Sequence, residues 1–376
     1  MKKKIVGITT ARSEFGRLRG FYQAISNNKS YEFALFVGFG HSDEQFGDSY
    51  AEILKTNIPI GCQMPYVEGG DEKKISELII YFSNYLDEIK ADLVIIPGDR
   101  YEMLSVALVS SIKQIPILHI GGGYVTLGAI DEQIRNALTK LSAIHFVASV
   151  ECGERVKNLN EDSSRIYVTG APELDEIFSS KSISRDEFLL RYSIASPFLL
   201  ATFHPETSIS LEENEINSEI IEQFLDVLHY TILITAPCHD PGFEFYLNLC
   251  KRLQNKNPDK YIFVPTLGMD MYLAAMRYCE FMVGNSSSGI IESPTIGVPV
   301  VNVGDRQKFR EHGMNVIHSD FNLTSLLNAV EAIKSNFPLG QSKIPVENPY
   351  GDGRFLDKAC KILLELQFPI SKINKY

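Results

Sequence analysis

No stretch of the 376-residue sequence stays apolar for the length of a membrane span. The opening MKKKIVGITTAR has a basic start, but Arg12 and Glu14 interrupt its short apolar run, which argues against a signal peptide. Positive charge is in short supply: 36 Lys and Arg stand against 47 Asp and Glu, a net charge of −11. That balance speaks against a general affinity for nucleic acid or an anionic membrane, while leaving room for a local basic site for a phosphorylated small molecule. Cysteines are scattered at 62, 152, 238, 250, 279 and 360, without the spacing of a metal site. They read as reduced thiols of a cytoplasmic protein. No Walker loop is present, because no glycine-lysine-serine run follows the glycine- and serine-rich turns.

What the chain does contain is ordinary globular material, with 44% hydrophobic and 22% charged residues and a length that suits two domains. Short β-branched runs alternate with helical patterns throughout, the signature of parallel α/β sheets. Strands are expected at 4–10, 32–37, 93–97, 116–120, 144–147 and 165–168, with helices at 75–89 and 102–113 among them. A polar, turn-rich stretch beginning at Gly170 reads as a linker. The series then restarts with strands at 198–203, 231–235, 261–264, 281–283 and 298–303. Helices around 211–228, 242–254 and 269–278 separate them. The fold class predicted is therefore α/β, with two Rossmann-like doubly wound domains at 1–172 and 185–350. Ligand is expected between the carboxyl ends of their strands. An amphipathic helix at 355–366, in the tail 353–376, is expected to pack back on the first domain.

Two stretches carry chemistry. In GNSSSGIIESPTIGVPVVNVGDRQ (284–307), a strand gives way to Ser286, Ser287, Ser288 and Gly289, which open a short helix bearing Glu292. Free N–H groups, the helix dipole and serine hydroxyls suit a pyrophosphate there, and Glu292 can accept from vicinal ribose hydroxyls. A serine-capped helix with a surface glutamate has the same pattern. Arg12, after the first strand, and Arg306, after the last, are candidates to bridge phosphate oxygens, although Arg12 also reads as a solvated helix-start residue. In HIGGGYVTLGAIDEQIRN (119–136), a strand runs into three glycines and then a helix presenting Asp131 and Arg135 one turn apart. Arg135 can hold the Asp131 carboxylate ionised, or the two form an exposed pair of little energetic weight.

GDRYEML (98–104), LHIGGGYVTLGAIDEQIRNALTK (118–140), FHPET (203–207) and GNSSSGIIESPTIGVPVVNVGDRQK (284–308), in that order, resemble the hydrolysing UDP-N-acetylglucosamine 2-epimerases of bacterial sialic-acid and legionaminic-acid synthesis. The resemblance covers nearly the whole chain. It implies two Rossmann domains in the glycosyltransferase-B arrangement, a UDP-sugar substrate, and cleavage to UDP and a free N-acetylmannosamine-type sugar without metal or cofactor. It also implies that Asp99 and Asp131 are carboxylates of the sugar site, with Arg135 beside them, and that His204 lies near the pyrophosphate or leaving group. His119, inside its strand, reads as structural. By analogy a homodimer or tetramer is expected.

The pattern also breaks. Relatives usually carry histidine or glutamate where this chain has Gly121, glutamate at Tyr124, histidine at Asn136, glycine at Phe309, and an asparagine within PCHDPG (237–242). Glycine transfers no proton, and loss of an essential acid or base costs about 10²- to 10⁴-fold in rate. Tyr124 or His239 can supply the missing group, or the space at Gly121 can admit a bulkier sugar such as a 6-deoxy-diacetamido hexose. A UDP-sugar binder with weak turnover is the remaining expectation.

Overall fold

The computed structural model describes residues 2–42, 49–127, 129–238, 240–340 and 343–372; the side chains of Arg12, Ser13 and Ser49 lie outside that description. The chain divides into two units, Met1–Tyr124 with Asp131–Glu176 and Tyr350–Tyr376, and Val125–Ile130 with Ile177–Pro349.

The first unit is built on seven parallel strands: β1 (Lys3–Thr9), β2 (Tyr31–Val37), β3 (Ile60–Gln63), β4 (Leu93–Pro97), β5 (Ile117–Ile120), β6 (Ile144–Val147) and β7 (Ile166–Val168). Their order is β3-β2-β1-β4-β5-β6-β7. β4, with sequence LVIIP, is buried at every position, as expected of a central parallel strand with helices on both faces. The edge strand β3 escapes the sequence pattern because IGCQ is short, carries a glycine and is exposed at alternate residues. The helix Phe355–Glu365 belongs to this unit. Its Phe355 ring meets Phe21 edge-on at 5.5 Å, and the Tyr31 hydroxyl donates to the Leu363 carbonyl at 2.8 Å. Asp175 caps the helix by accepting from the Phe355 and Leu356 amides at 2.9 and 2.7 Å.

The second unit has six parallel strands: β8 (Phe198–Thr202), β9 (Thr231–Thr235), β10 (Tyr261–Phe263), β11 (Met282–Gly284), β12 (Val300–Val303) and β13 (Val316–Ser319). The order is β10-β9-β8-β11-β12-β13. β13, again at an edge, is the strand the sequence pattern does not reveal.

Two boundaries differ from expectation. The stretch after Gly170 is not a structureless linker, since it holds the helices Glu173–Ser179 and Arg185–Tyr192. Their charged, serine-rich sequence reads as loop only because their apolar faces are narrow, a single fully buried Phe188 anchoring the second. Residues 125–130 group with the second unit. Arg310 donates to the Val125 carbonyl and the Thr126 hydroxyl, each at 2.8 Å, and the Ile130 amide donates to Thr207 at 3.2 Å. Among the described residues no helix is long and apolar enough to cross a membrane.

Candidate functional site

Parallel strands deliver their loops to one edge of the sheet, and in the first unit the strand order reverses between β1 and β4. β4 ends at Pro97, Gly98 turns the chain at φ 67°, and Asp99 follows. Arg135, from the helix Asp131–Leu141, is wholly buried. Its Nε and Nη2 donate to one Asp99 oxygen at 3.1 and 2.5 Å. Its Nη1 donates to Glu132 and to the Tyr124 carbonyl, both at 2.7 Å. A buried guanidinium is tolerable only with such partners. The exposed-pair reading of Arg135 thus fails, and its strongest electrostatic partner is Asp99, followed by Glu132 and then Asp131. Asp131 stands half-buried as the first residue of the helix.

The glycines between β5 and this helix have separate reasons. Gly121 has φ 96°, although a β-carbon there would find only ordinary contacts, the nearest being the Tyr124 ring at 3.6 Å. Gly123 has φ 82°, and a β-carbon would fall 2.1 Å from the Cys152 carbonyl oxygen. Tyr124 is turned into the protein, with its ring centroid 5.6 Å from that of Tyr350. A cavity of about 200 Å3 beside it is lined by Gly123, Tyr124, Glu132, Asn136, Arg155 and Asn158, among others. His119 ties β5 to the β4 turn. Its Nε2 donates to the Gly98 carbonyl at 2.8 Å, and burial pushes its pKa down to about 4.

Sequence reasoning passed over the other charged groups of this edge. Glu14 is buried and accepts from the Thr10 and Ala11 amides at 2.8 and 3.0 Å, holding the β1 turn; burial raises its pKa. Arg17 donates to Glu173 at 2.9 Å and lies within the fields of Asp99 and Glu14. The spacing of Glu14 and Arg17 on one face of the helix Arg12–Asn27 is the signal available for them. Arg12 opens that helix, and its side chain lies outside the described residues. His239 does too.

In the second unit β8 leads to His204, β9 toward Cys238, β11 into the serine turn and β12 toward Arg306. Asn285 clamps the His204 backbone, accepting from its amide at 2.7 Å and donating to its carbonyl at 2.9 Å. The Cys238 amide donates to His204 Nδ1 at 2.9 Å. Burial first and the Arg306 charge second lower the His204 pKa to about 3. Arg306 itself is nearly buried, and its guanidinium donates to the Pro205 carbonyl at 2.8 Å and to Asp240 at 2.9 Å. Its charge also bears on His204, a relationship its position in sequence does not reveal.

The serine turn is a network of hydroxyls. Ser286 and Ser288 lie 3.0 Å apart, and Tyr272, from the helix Met269–Tyr278, approaches Ser288 at 2.5 Å. Thr202 and Thr235 pair at 2.6 Å at the ends of β8 and β9. Burial pushes the Tyr272 phenol up to about 12, so it remains a donor at neutral pH. Ser287 and Gly289 complete the turn. Glu292 sits, half-buried, at the junction of two four-residue helices, Ser288–Ile291 and Ser293–Ile296, instead of on one short helix.

Two doubly wound parallel sheets, one carrying a carboxylate–guanidinium cluster at its carboxyl edge and the other a hydroxyl-rich turn, make this a protein of two Rossmann-like units. The family model for UDP-N-acetylglucosamine 2-epimerase matches residues 23–364, and the chain belongs to that family. It is 33% identical to the GDP/UDP-N,N'-diacetylbacillosamine 2-epimerase (hydrolyzing) of Campylobacter jejuni, over 89% of this chain and 88% of that one. It is 31% identical to the UDP-N-acetylglucosamine 2-epimerase of Neisseria meningitidis serogroup B, over 88% and 87% respectively. The solved UDP-GlcNAc 2-epimerase of Methanocaldococcus jannaschii, in complex with UDP-GlcNAc and UDP, shares the fold. It superposes with a TM-score of 0.81 at 19% identity, over 97% of this chain and all of that one.

Proposed function

We propose that this protein is a hydrolysing 2-epimerase that converts UDP-N-acetylglucosamine, or a related UDP-acetamido sugar, to UDP and the free 2-epimerised sugar. The observation that carries the reading is the Asp99–Arg135 pair at the carboxyl edge of the first sheet, on a chain whose relatives include an enzyme named as hydrolysing. The chemistry needs a base for the weakly acidic C2 proton while UDP leaves C1, and then a group that assists water in adding to the glycal. We assign that work to Asp99 and Asp131, with Arg135 orienting Asp99. UDP is assigned to the second unit, with Ser286, Ser287, Ser288 and Gly289 at the phosphates, Glu292 at the ribose and His204 at the leaving oxygen. Arg12 and Arg306 join the phosphate group in this assignment.

A modified sugar is the second reading. Tyr124 and Asn136, two of the positions that depart from the family pattern, line one cavity of about 200 Å3, and a β-carbon at Gly121 would meet only ordinary contacts. A diacetamido sugar carries an extra substituent for such space, and the Campylobacter relative is named for one. Assembly as a homo-oligomer fits the exposed Ile80, Tyr81, Leu108 and Ile112 on the helices Asp71–Ile89 and Tyr101–Ile112. A cytoplasmic location fits six cysteines that are all free thiols.

Incubation with UDP-N-acetylglucosamine and, separately, its UDP-diacetamido analogue, followed by NMR, tests the reading. Free UDP together with a 2-epimerised sugar is the expected result. Epimer that retains UDP would replace hydrolysis with simple epimerisation. UDP binding without turnover of either sugar would leave a binding protein.

A further inference from the structure

We propose that His204 serves the ligand's terminal phosphate as a neutral Nε2–H donor and not as an acid, its tautomer fixed by the main chain at Cys238. The proposal rests on the reading that this edge takes a nucleoside diphosphate. A main-chain N–H can only donate. With the Cys238 amide 2.9 Å from Nδ1, that nitrogen must present its lone pair, and the ring proton sits on Nε2. Protonation of the ring would set one N–H against another. The groups facing the imidazole agree. Arg306 is held at 2.8 Å from the carbonyl of Pro205, the next residue, and its fixed charge opposes a second proton. Asp240 acts in the opposite sense, but its carboxylate is engaged by Arg306 at 2.9 Å and by the Cys238 thiol at 3.0 Å. Burial, the larger influence, acts with Arg306 against Asp240 and takes the His204 pKa to about 3.

A neutral donor suffices for the proposed reaction. When the C1–O bond breaks, the electron pair passes to the phosphate oxygen, and a terminal phosphate whose second pKa is about 6 leaves as an anion without taking a proton. The Nε2–H bonds to the oxygen as its charge grows and keeps its hydrogen throughout. The two-sided Asn285 clamp fixes the donor beside the serine turn, since Asn285 adjoins Ser286.

The test is a nitrogen NMR titration of the full chain labelled at histidine, from pH 8 to pH 5, with and without UDP, the His204 signals being those lost in His204→Gln. The expected spectrum shows Nδ1 unprotonated and Nε2 protonated throughout, with Nε2 moving on UDP addition. Calorimetry should find that His204→Gln, whose amide nitrogen reaches the Nε2 position, stays within about threefold of wild-type UDP affinity. His204→Ala should lose about 10- to 100-fold. A protonated Nδ1 or an imidazolium at pH 6 overturns the proposal, as does an Nε2 signal that UDP leaves unmoved while calorimetry records binding. If UDP does not bind at all, the nucleotide reading falls and takes the phosphate contact with it. The tautomer is then judged on the free protein's spectrum.

Discussion

Arg135 and Asp99, 36 residues apart in sequence, meet in a chelate: one carboxylate oxygen takes two guanidinium hydrogens, at 3.1 Å from Nε and 2.5 Å from Nη2. The arginine is wholly buried, while the Asp99 and Glu132 side chains keep 26% and 23% of their surface in contact with solvent. The cluster links the β4 turn to the helix Asp131–Leu141.

Asp99→Asn and Arg135→Ala should therefore fail in different ways. The amide keeps the shape of the carboxylate but is no base, so Asp99→Asn should lower kcat by about 10²- to 10⁴-fold while leaving UDP affinity nearly intact. Arg135→Ala removes the partner of two carboxylates and a buried carbonyl. It should cost about 3 kcal/mol of stability, the low end for breaking a buried pair because both acids keep some water. Urea denaturation beside steady-state kinetics separates the two, and an Arg135→Ala protein of wild-type stability would contradict the buried cluster.

The glycines predict an order of costs. Gly121→Ala meets no closer neighbour than 3.6 Å and pays only for its positive φ, about 1–2 kcal/mol. Gly123→Ala adds a 2.1 Å collision with the Cys152 carbonyl and should be much worse. Thermal denaturation ranks them; the reverse order would mean the turn is differently built. The same strain bears on Gly121→His. A folded variant that gains UDP release from UDP-N-acetylglucosamine would identify position 121 as a missing acid–base site, and a loss on the diacetamido sugar would identify it as substrate space.

How much of this was legible beforehand follows the physics of each element. Central strands such as β4 announce themselves because both faces are buried and every residue is apolar. β3 and β13, at sheet edges, carry mixed sequences and stay hidden. Asp131 and Arg135 were readable as one helix face. That Arg135 reaches back to Asp99 and Tyr124 was not, because the contact depends on β4 and β5 lying side by side. Arg306, at a strand end, was readable as a candidate phosphate ligand; that its guanidinium also holds Asp240 and the Pro205 carbonyl was not, because those partners come from other strand ends. Tyr272 had no local signal, since its partner Ser288 is 16 residues away.

The serine turn should respond to substitution at its edge as well as at its centre. Glu292→Ala should weaken UDP by about 1–3 kcal/mol if it accepts from the ribose. Tyr272→Phe removes the hydroxyl that approaches Ser288 at 2.5 Å and should weaken UDP by a smaller amount, through a less ordered turn. A bulky residue at Ser287 should abolish close approach of the phosphates. Calorimetry with UDP alone reads all three, and unchanged affinity throughout would remove the nucleotide from this turn.

Stability should fall in mild acid, because the fold holds several histidines neutral. Burial lowers His41, His119 and His318 to about 4 and His204 to about 3, and lowers His145 as well, all from an ordinary value of 6.5. Between pH 6.5 and those lower values the unfolded chain binds protons that the folded chain refuses. Stability is thus fully present above about pH 6.5 and is lost as pH falls, at up to about 1.4 kcal/mol per pH unit for each histidine titrating only in the unfolded chain. Glu14 and Glu206 work the other way: burial raises both above 4.5, so the folded chain takes up their protons first and gains stability as pH drops through that range. Glu161, held to about 2 by His145, Lys140 and Lys372, adds a further loss only below about 4.5. The decline is therefore expected to begin at about pH 6.5, with the raised glutamates lessening its slope. Urea midpoints measured at half-unit steps from pH 8 to pH 4.5 check this. A midpoint flat across pH 6.5 to 5 would mean that these imidazoles are not kept neutral in the folded protein, and replacing His119, wholly buried against Gly98, by Gln should reduce the slope.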